Sequence, residues 1–280
     1  MRLSSAARLL LLATCTAALA CASRSDPEPL RLMTYNIAAG HGDLAAIVAA
    51  IRTERPDIVA LQEVDVNWSE RSGFADQAAV LGAALGMHVR FGPIYRMPTV
   101  TDSAAAAQPA EQAPVREFGL AILSRAPIVD FTNHLLPRLS TQTAETEPRL
   151  LPGFLEAVID LGGGLRLHVF NTHLDYRADP RVRVQQVAAM LTVLSERPAA
   201  LVLMGDLNAP PDASELQPLL ARVRDAWSAG HGPGFTFPAD SPDRRIDYIL
   251  HSAHIQMRNV RVTDARASDH RPVVADVLLN

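Results

Sequence analysis

The chain has 280 residues, 48% of them hydrophobic, with 26 basic and 30 acidic side chains and a formal charge of −4. Every basic group is an arginine, and the lack of lysine excludes Schiff-base catalysis and P-loop phosphate binding, which both use a lysine amine. Cys15 and Cys21 are the only cysteines, so the region after them has no internal disulfide and no thiol nucleophile and must be stabilised by its core.

Arg2 and Arg8 lead into an apolar stretch at 9–20, and Ala18-Leu19-Ala20 offers an A-x-A cleavage pattern. Residues 1–21 therefore read as a secretory signal peptide, too short to span a bilayer comfortably. Cys21 comes directly after Ala18-Leu19-Ala20, and two outcomes stay open: plain secretion, or lipidation of Cys21 as the first residue of a bacterial lipoprotein tethered to a membrane. Either way the protein is expected to be exported, to the periplasm or beyond. Residues 22–29 are a short polar tether, and 30–280 suit one sizeable domain. Removing the signal takes two arginines and no acid, leaving 24 basic against 30 acidic groups, a net −6. That balance argues against broad electrostatic binding to nucleic acid, although local arginine clusters matter more than the total.

Residues 30–37 alternate toward a strand ending near Asn36, and 44–52 repeat apolar positions at helical spacing behind Asp43 as N-cap. Pro56-Asp57 breaks that helix, and 58–61 form a buried strand ending at Glu63. A helix is expected over 77–85 and a strand over 87–91. Residues 97–114 are rich in Ala, Thr, Pro and Gln with no apolar period, and read as a loop insertion. Strands at 117–124 and 128–135 are expected to form a hairpin, followed by a polar loop over 138–152. Strands at 154–160 and 165–171 flank Gly162-Gly163-Gly164, a strong hairpin signal. A helix over 182–194, a buried strand over 201–204 delivering Asp206, a short helix over 214–220 and strands at 246–250, 255–262 and 273–278 complete the chain. Many strands and a few helices in mixed order indicate α+β architecture, with sheets packed together and helices outside.

Polar residues cluster just past the apolar strands, where loops can converge on one rim of a sandwich. Asp206 and Asn208 flank Leu207, so alternation points both polar groups one way and Leu207 to the core. An Asx turn before Pro210-Pro211 would also fit those two residues. His41, His88, His134, His168, His231, His251 and His254 stand without motif company and are read as structural or exposed, since no H-E-x-x-H spacing occurs.

Six short segments, Tyr35-Asn36-Ile37, Leu61-Gln62-Glu63-Val64, Asn171-Thr172-His173-Leu174, Gly205-Asp206-Leu207-Asn208, Arg245-Ile246-Asp247-Tyr248 and Ser268-Asp269-His270, occur in one order between Leu30 and the C-terminus. In that order they resemble the motifs of the endonuclease/exonuclease/phosphatase family. The resemblance implies a DNase I-like, four-layer α/β/β/α sandwich of two packed, mainly antiparallel sheets flanked by helices. It also implies hydrolysis of phosphoester bonds with Mg²⁺ or Mn²⁺. On the matching positions Glu63 is the principal metal ligand. Asn36 lies beside the metal and phosphate as ligand or donor, and Asp269 is a ligand or an orienting group near the ion. Asp206 orients and deprotonates the attacking water, and Asn208 holds that water or the phosphate. Asp247 supports His270, which stabilises the phosphate or transfers a proton, and His173 protonates the leaving oxygen or binds the phosphate. A looser match makes Glu117 a partner of His173 and Arg149 a forked phosphate donor. Asp175, Tyr176 and Arg177 could shape the substrate mouth.

The substrate stays open among nucleic acid, phospholipid and a small phosphate ester, so nuclease-like phosphodiesterase, lipid phosphodiesterase and phosphomonoesterase readings all stand. With 5% aromatic residues and no basic run, no stacking or backbone-tracking surface stands out. A reading of a different class, a binding module that kept the fold without catalysis, is opposed by intact Glu63, Asp206, Asn208, Asp247 and His270. No obligate protein partner is indicated.

Overall fold

A computed structural model describes residues 29–97, 115–197 and 200–278. The proposed signal peptide, nearly all of the tether and nearly all of the 97–114 insertion lie outside the described residues. Twelve strands and four α-helices follow one another as β1 (Leu30–Asn36), α1 (Leu44–Glu54), β2 (Ile58–Val66), α2 (Gln77–Leu85), β3 (His88–Met97), β4 (Arg116–Ser124), β5 (Ile128–Arg138), β6 (Arg149–Asp160), β7 (Arg166–His173), α3 (Arg181–Ser195), β8 (Leu201–Asp206), α4 (Gln217–Arg222), β9 (Arg224–Asp225), β10 (Asp247–His251), β11 (Gln256–Val262) and β12 (Val273–Leu278). No described helix is long and apolar enough to cross a membrane.

The strands form two six-stranded sheets, ordered β11-β12-β1-β2-β4-β3 and β5-β6-β7-β8-β10-β9. Neighbours run antiparallel except β1 with β2 and β7 with β8. Alternation within the apolar runs explains why the sheets stack. Leu32, Ile58 and Ala60 of one sheet meet Ala157, Val169, Val202 and Met204 of the other in the central core. Their sequence neighbours Met33, Val59 and Leu61 point outward onto Ile47, Ile51 and Leu81 of α1 and α2. On the far side Phe170, Leu201 and Leu203 pack on Val187, Met190 and Leu194 of α3. Both faces of the central strands are covered, so these strands read as continuous hydrophobic runs rather than alternating ones. The result is the expected α/β/β/α sandwich.

Local signals also operate. Asp43 caps α1 by accepting from the Ala46 amide at 3.0 Å, and Asp76 caps α2 through Ala79 at 2.9 Å. The Gly162–Gly164 turn joins β6 to β7 as expected.

Three expectations change. β4 and β5 do not form a hairpin: β4 pairs with β2 and β3, whereas β5 pairs with β6 in the other sheet. Ser124-Arg125-Ala126-Pro127 is a crossover between sheets, and local sequence does not distinguish it from a turn returning to its own sheet. The 138–152 loop is shorter than expected, because β5 extends to Arg138 and β6 starts at Arg149. Glu63 does not end β2; the strand runs on to Val66, and Glu63 sits at an irregularity in its pairing with β4 between Leu61 and Val64.

Candidate active site

The site lies at one end of the sandwich, where β1, β2, β7, β8 and β10 present their polar residues. Strand register does most of the assembly. His173 on β7 stands opposite Asp206 on β8, and Asp206 stands opposite Asp247 on β10, so three chemically active side chains fall in one row. Gly205 makes this row compact. Its φ of +150° suits glycine, and a Cβ there would overlap the carbonyl oxygen of Thr172. At the irregularity in β2 Glu63 has φ +55°, a left-handed conformation that interrupts the pleat and re-aims its side chain. Asn208 has φ +50°, which asparagine tolerates, and its side-chain Nδ2 donates to the carbonyl of Leu174 at 3.0 Å. Leu207 between these polar residues is fully buried against the α3 side.

Asn36 is the junction of the two sheets. Its Nδ2 donates to Glu63 Oε1 at 3.2 Å and to Asp206 Oδ2 at 3.1 Å, while its Oδ1 accepts from the Ala38 amide at 3.1 Å. Asp206 Oδ2 also lies 3.5 Å from His173 Nε2 and 3.8 Å from His270 Nε2, and Asp206 Oδ1 accepts from the Asn208 amide at 2.8 Å. His270 Nδ1 meets Asp247 Oδ2 at 2.9 Å, and Phe237 packs against the imidazole with ring centroids 4.7 Å apart. Ser268 donates to the Asn36 carbonyl at 2.8 Å and to Asp269 Oδ1 at 3.2 Å, which fastens the last loop to the first strand.

Burial and neighbouring charge divide these groups by proton affinity. Burial raises the Asp206 carboxyl above its usual range, and the Asp247 charge raises it further against the opposing pull of His173 and His270. Burial also raises Glu63; the Asn36 hydrogen bond opposes this and the Asp269 charge adds to it. The two histidines part company. Burial lowers His173, only partly offset by Asp206, so it stands neutral near pH 7. Burial opposes charge on His270 too, but Asp247, Asp206 and Asp269 together outweigh it and lift the imidazole to about 10. A buried carboxyl with high proton affinity beside an imidazolium is a base and an acid in one cavity.

Oxygens of Asp206 and Asp247 and a nitrogen of His270 lie within 4.8 Å of one another, a grouping able to hold a metal ion. An imidazolium cannot ligate, however, and the His270–Asp247 bond uses that pair for each other. Glu63 and Asp269 offer hard carboxylate oxygens with excess negative charge, and Asp247 Oδ1 is buried with no hydrogen-bond partner. This donor set fits a divalent cation that prefers oxygen.

A sequence model of the Endonuclease/Exonuclease/phosphatase family matches residues 33–270, from β1 to His270. The chain belongs to that family. Members are usually phosphoester hydrolases and generally depend on a divalent metal. A solved endonuclease/exonuclease/phosphatase from Beutenbergia cavernae DSM 12333 is 26% identical, with a TM-score of 0.67 over 90% of this chain and 72% of that one. The mannosyl-6-phosphatase of Bacteroides thetaiotaomicron VPI-5482 shares the fold at 16% identity, TM-score 0.67, over 89% of this chain and 100% of that one. So does the human Nocturnin catalytic domain with a bound sulfate anion, at 20% identity, TM-score 0.64, over 90% of this chain and 95% of that one.

Of the residues singled out in the sequence, Asn36, Glu63, His173, Asp206, Asn208, Asp247, Asp269 and His270 come together at this family member's rim. Two do not join them. Glu117 is held by Arg96 at 2.6 Å rather than by His173, and Arg149 pairs with Glu145 at 2.9 Å on the exposed start of β6. Among the other histidines, His134 and His168 both bond Glu156, at 2.8 and 2.7 Å, on the α3 side of the second sheet. His41, His88, His231 and His254 are exposed, and His251 is buried against the Ser252 carbonyl.

Sequence reading missed the amide bridge below the site. Gln62 Nε2 donates to Asn171 Oδ1 at 2.7 Å across the two sheets, and Asn171 Nδ2 donates to the carbonyls of Leu61 and Ala121, both at 2.9 Å. Two amides, Gln62 and Asn171, each just before a candidate site residue at the end of an apolar run, were the available signal.

Proposed function

We propose that this protein is an exported, Mg²⁺-dependent phosphoester hydrolase acting by in-line attack of water. The observation that carries the reading is the position of Asp206. One buried carboxylate reaches Asn36 and two imidazoles, within the same cluster as Glu63, Asp247 and Asp269. A divalent ion held by Glu63 and Asp269 would supply charge neutralisation at the phosphoryl oxygens and orient the substrate. Mg²⁺ is favoured over softer metals because the donors are carboxylates, with Mn²⁺ the closest substitute.

The remaining steps belong to side chains. Asp206 accepts a proton from the attacking water as the new P–O bond forms, and its raised proton affinity makes it the better base. Asn36 holds both Asp206 and Glu63 in place. His270 is protonated at neutral pH and gives a proton to the departing oxygen as the old P–O bond breaks. Asp247 fixes the ring so that Nε2 faces the reaction. His173, neutral, binds a phosphoryl oxygen through its N–H, and Asn208 positions the water or that oxygen. The proton taken by Asp206 balances the one released by His270. No covalent enzyme intermediate is required.

The phosphatase name of one structural neighbour supports a phosphomonoester as well as a diester substrate. Residues 1–21 would direct export, either as a freely secreted protein or with Cys21 as the site of a lipid anchor. Purified protein should hydrolyse bis-p-nitrophenyl phosphate or p-nitrophenyl phosphate on addition of Mg²⁺ and stop when the ion is chelated. Absence of metal-dependent turnover across DNA, sphingomyelin, phosphoinositides and sugar phosphates would leave the non-catalytic binding module standing. For the anchor, radiolabelled palmitate should enter the wild-type chain in cells but not Cys21→Ala; equal labelling of the two rejects lipidation at that residue.

A further inference from the structure

Beside the phosphoester site opens a pocket of about 190 Å³, with Glu63 and His173 contributing to both. Tyr95 and Phe118 form one wall, stacked with centroids 6.2 Å apart and planes 15° from parallel, and Tyr176, 65% exposed, stands at the mouth. The pocket also contains Arg138, whose residue is only 6% exposed. Its Nη2 donates to the carbonyls of His173 at 2.7 Å and Gly153 at 3.2 Å. The guanidinium packs against Gly153, where any Cβ would overlap it. Nε is buried with no partner, and Arg138 has no ion pair among the described residues.

Arg183 shows how unusual this is. It is equally buried, at 6%, but Glu215 neutralises it at 2.8 Å. An arginine taken out of water without a counter-ion is costly, and burial does push the Arg138 guanidinium pKa down, with Tyr95 and Asp175 pulling it back up. Of the two acids in the same pocket, Asp175 is held by Arg177, and Glu63 accepts from Asn36 and makes no pair with Arg138. A locked cation in the wall of a substrate-facing pocket lacks only an anion.

We propose that this pocket receives the alcohol part of the phosphoester and that Arg138 binds an anionic group carried on it. The substrate class is then a phosphate ester of a compact, flat or apolar alcohol bearing a carboxylate or a second phosphoryl group. The volume falls below the roughly 300–1,000 Å³ of pockets for drug-sized ligands, so one small ring fits. Aromatic walls take its faces, and the guanidinium N–H groups not spent on the two carbonyls take its charge. This assignment rests on the hydrolase reading above and adds the substrate preference.

The test compares kcat/KM for phenyl phosphate with 3-carboxyphenyl and 4-carboxyphenyl phosphate, each also as its methyl diester, in Mg²⁺. Wild-type protein should prefer at least one carboxylated ester by about tenfold or more, despite the acidic surroundings. In Arg138→Gln that ratio should fall to one or below, and Arg138→Lys should restore part of it. If Arg138 only braced β7, its loss would depress all esters alike and leave the ratio standing, which overturns the proposal. A wild-type ratio near one overturns it without any variant, so misfolding of Arg138→Gln cannot protect it. Turnover without preference sinks this inference alone; no turnover of any ester sinks the hydrolase reading and this inference with it.

Discussion

Asp206→Asn should separate catalysis from stability, moving them in opposite directions. The carboxylate is 1% exposed and pushed toward protonation first by burial and then by the Asp247 charge, so its ionised form opposes folding. Desolvating such an ion costs several kcal/mol. The pull of His173 and His270 and two hydrogen bonds offset part of this: the Asn208 backbone amide at 2.8 Å, which an asparagine oxygen can still accept, and the Asn36 Nδ2 at 3.1 Å, which a new Nδ2 would oppose. A hydrogen bond to a charged group is worth about 1.5–3 kcal/mol, so the exchange should leave the metal-free variant more stable by about 1 kcal/mol. For a domain of this size that is a rise in Tm of about 2–4 °C. Turnover should fall by about 10²–10⁴ through loss of the general base. Differential scanning calorimetry in EDTA, with initial rates on bis-p-nitrophenyl phosphate in Mg²⁺, reads both quantities. A variant within tenfold of wild-type rate refutes the assigned base. A Tm lower by several degrees refutes the claim that the buried charge opposes folding.

Gly205→Ala places a methyl group against the Thr172 carbonyl and should cost about 3 kcal/mol or more, seen as a Tm loss in calorimetry, because β7 and β8 must part. Glu156, bonded by His134, His168 and Arg197, has its carboxyl held down at about 2: burial alone would raise it, but these three partners prevail. A depressed carboxyl stabilises the fold above its unfolded value of 4.5, and that contribution fades as pH falls toward about 2. Glu156→Gln should therefore lose about 2 kcal/mol at pH 7, after allowance for solvent screening, and the gap should close in urea melts run between pH 4.5 and pH 2. Mg²⁺ at about a hundred times its Kd should stabilise the wild type by about 2.7 kcal/mol in thermal melts, and Glu63→Gln should abolish that shift. An equal shift in Glu63→Gln would remove Glu63 from the ion.

Sequence alone carried the central features. Apolar runs at 58–61 and 201–204 fixed the buried strands, and Asp43 fixed the start of α1, because these signals are local. The ordered motifs gathered at one rim because each polar residue lies in, or within a few residues of, a strand whose apolar neighbours anchor it. What the sequence did not show was mostly non-local. The partner of β5 depends on a crossover between sheets, and the ion pair that occupies Glu117 involves Arg96, across a strand pair; Arg149 instead pairs locally with Glu145, four residues before it.

Which side chains gather at the rim could thus be read residue by residue, since hydrophobic periodicity and chain order survive without coordinates. Their division of labour could not. Which imidazole holds a proton, which carboxyl resists ionising and which arginine lacks a counter-ion follow from desolvation and from groups many residues away in the chain, such as the Asp247 charge beside His270 and the Gly153 backbone against Arg138. Proton affinity is a property of surroundings, and only the packing of two sheets creates them.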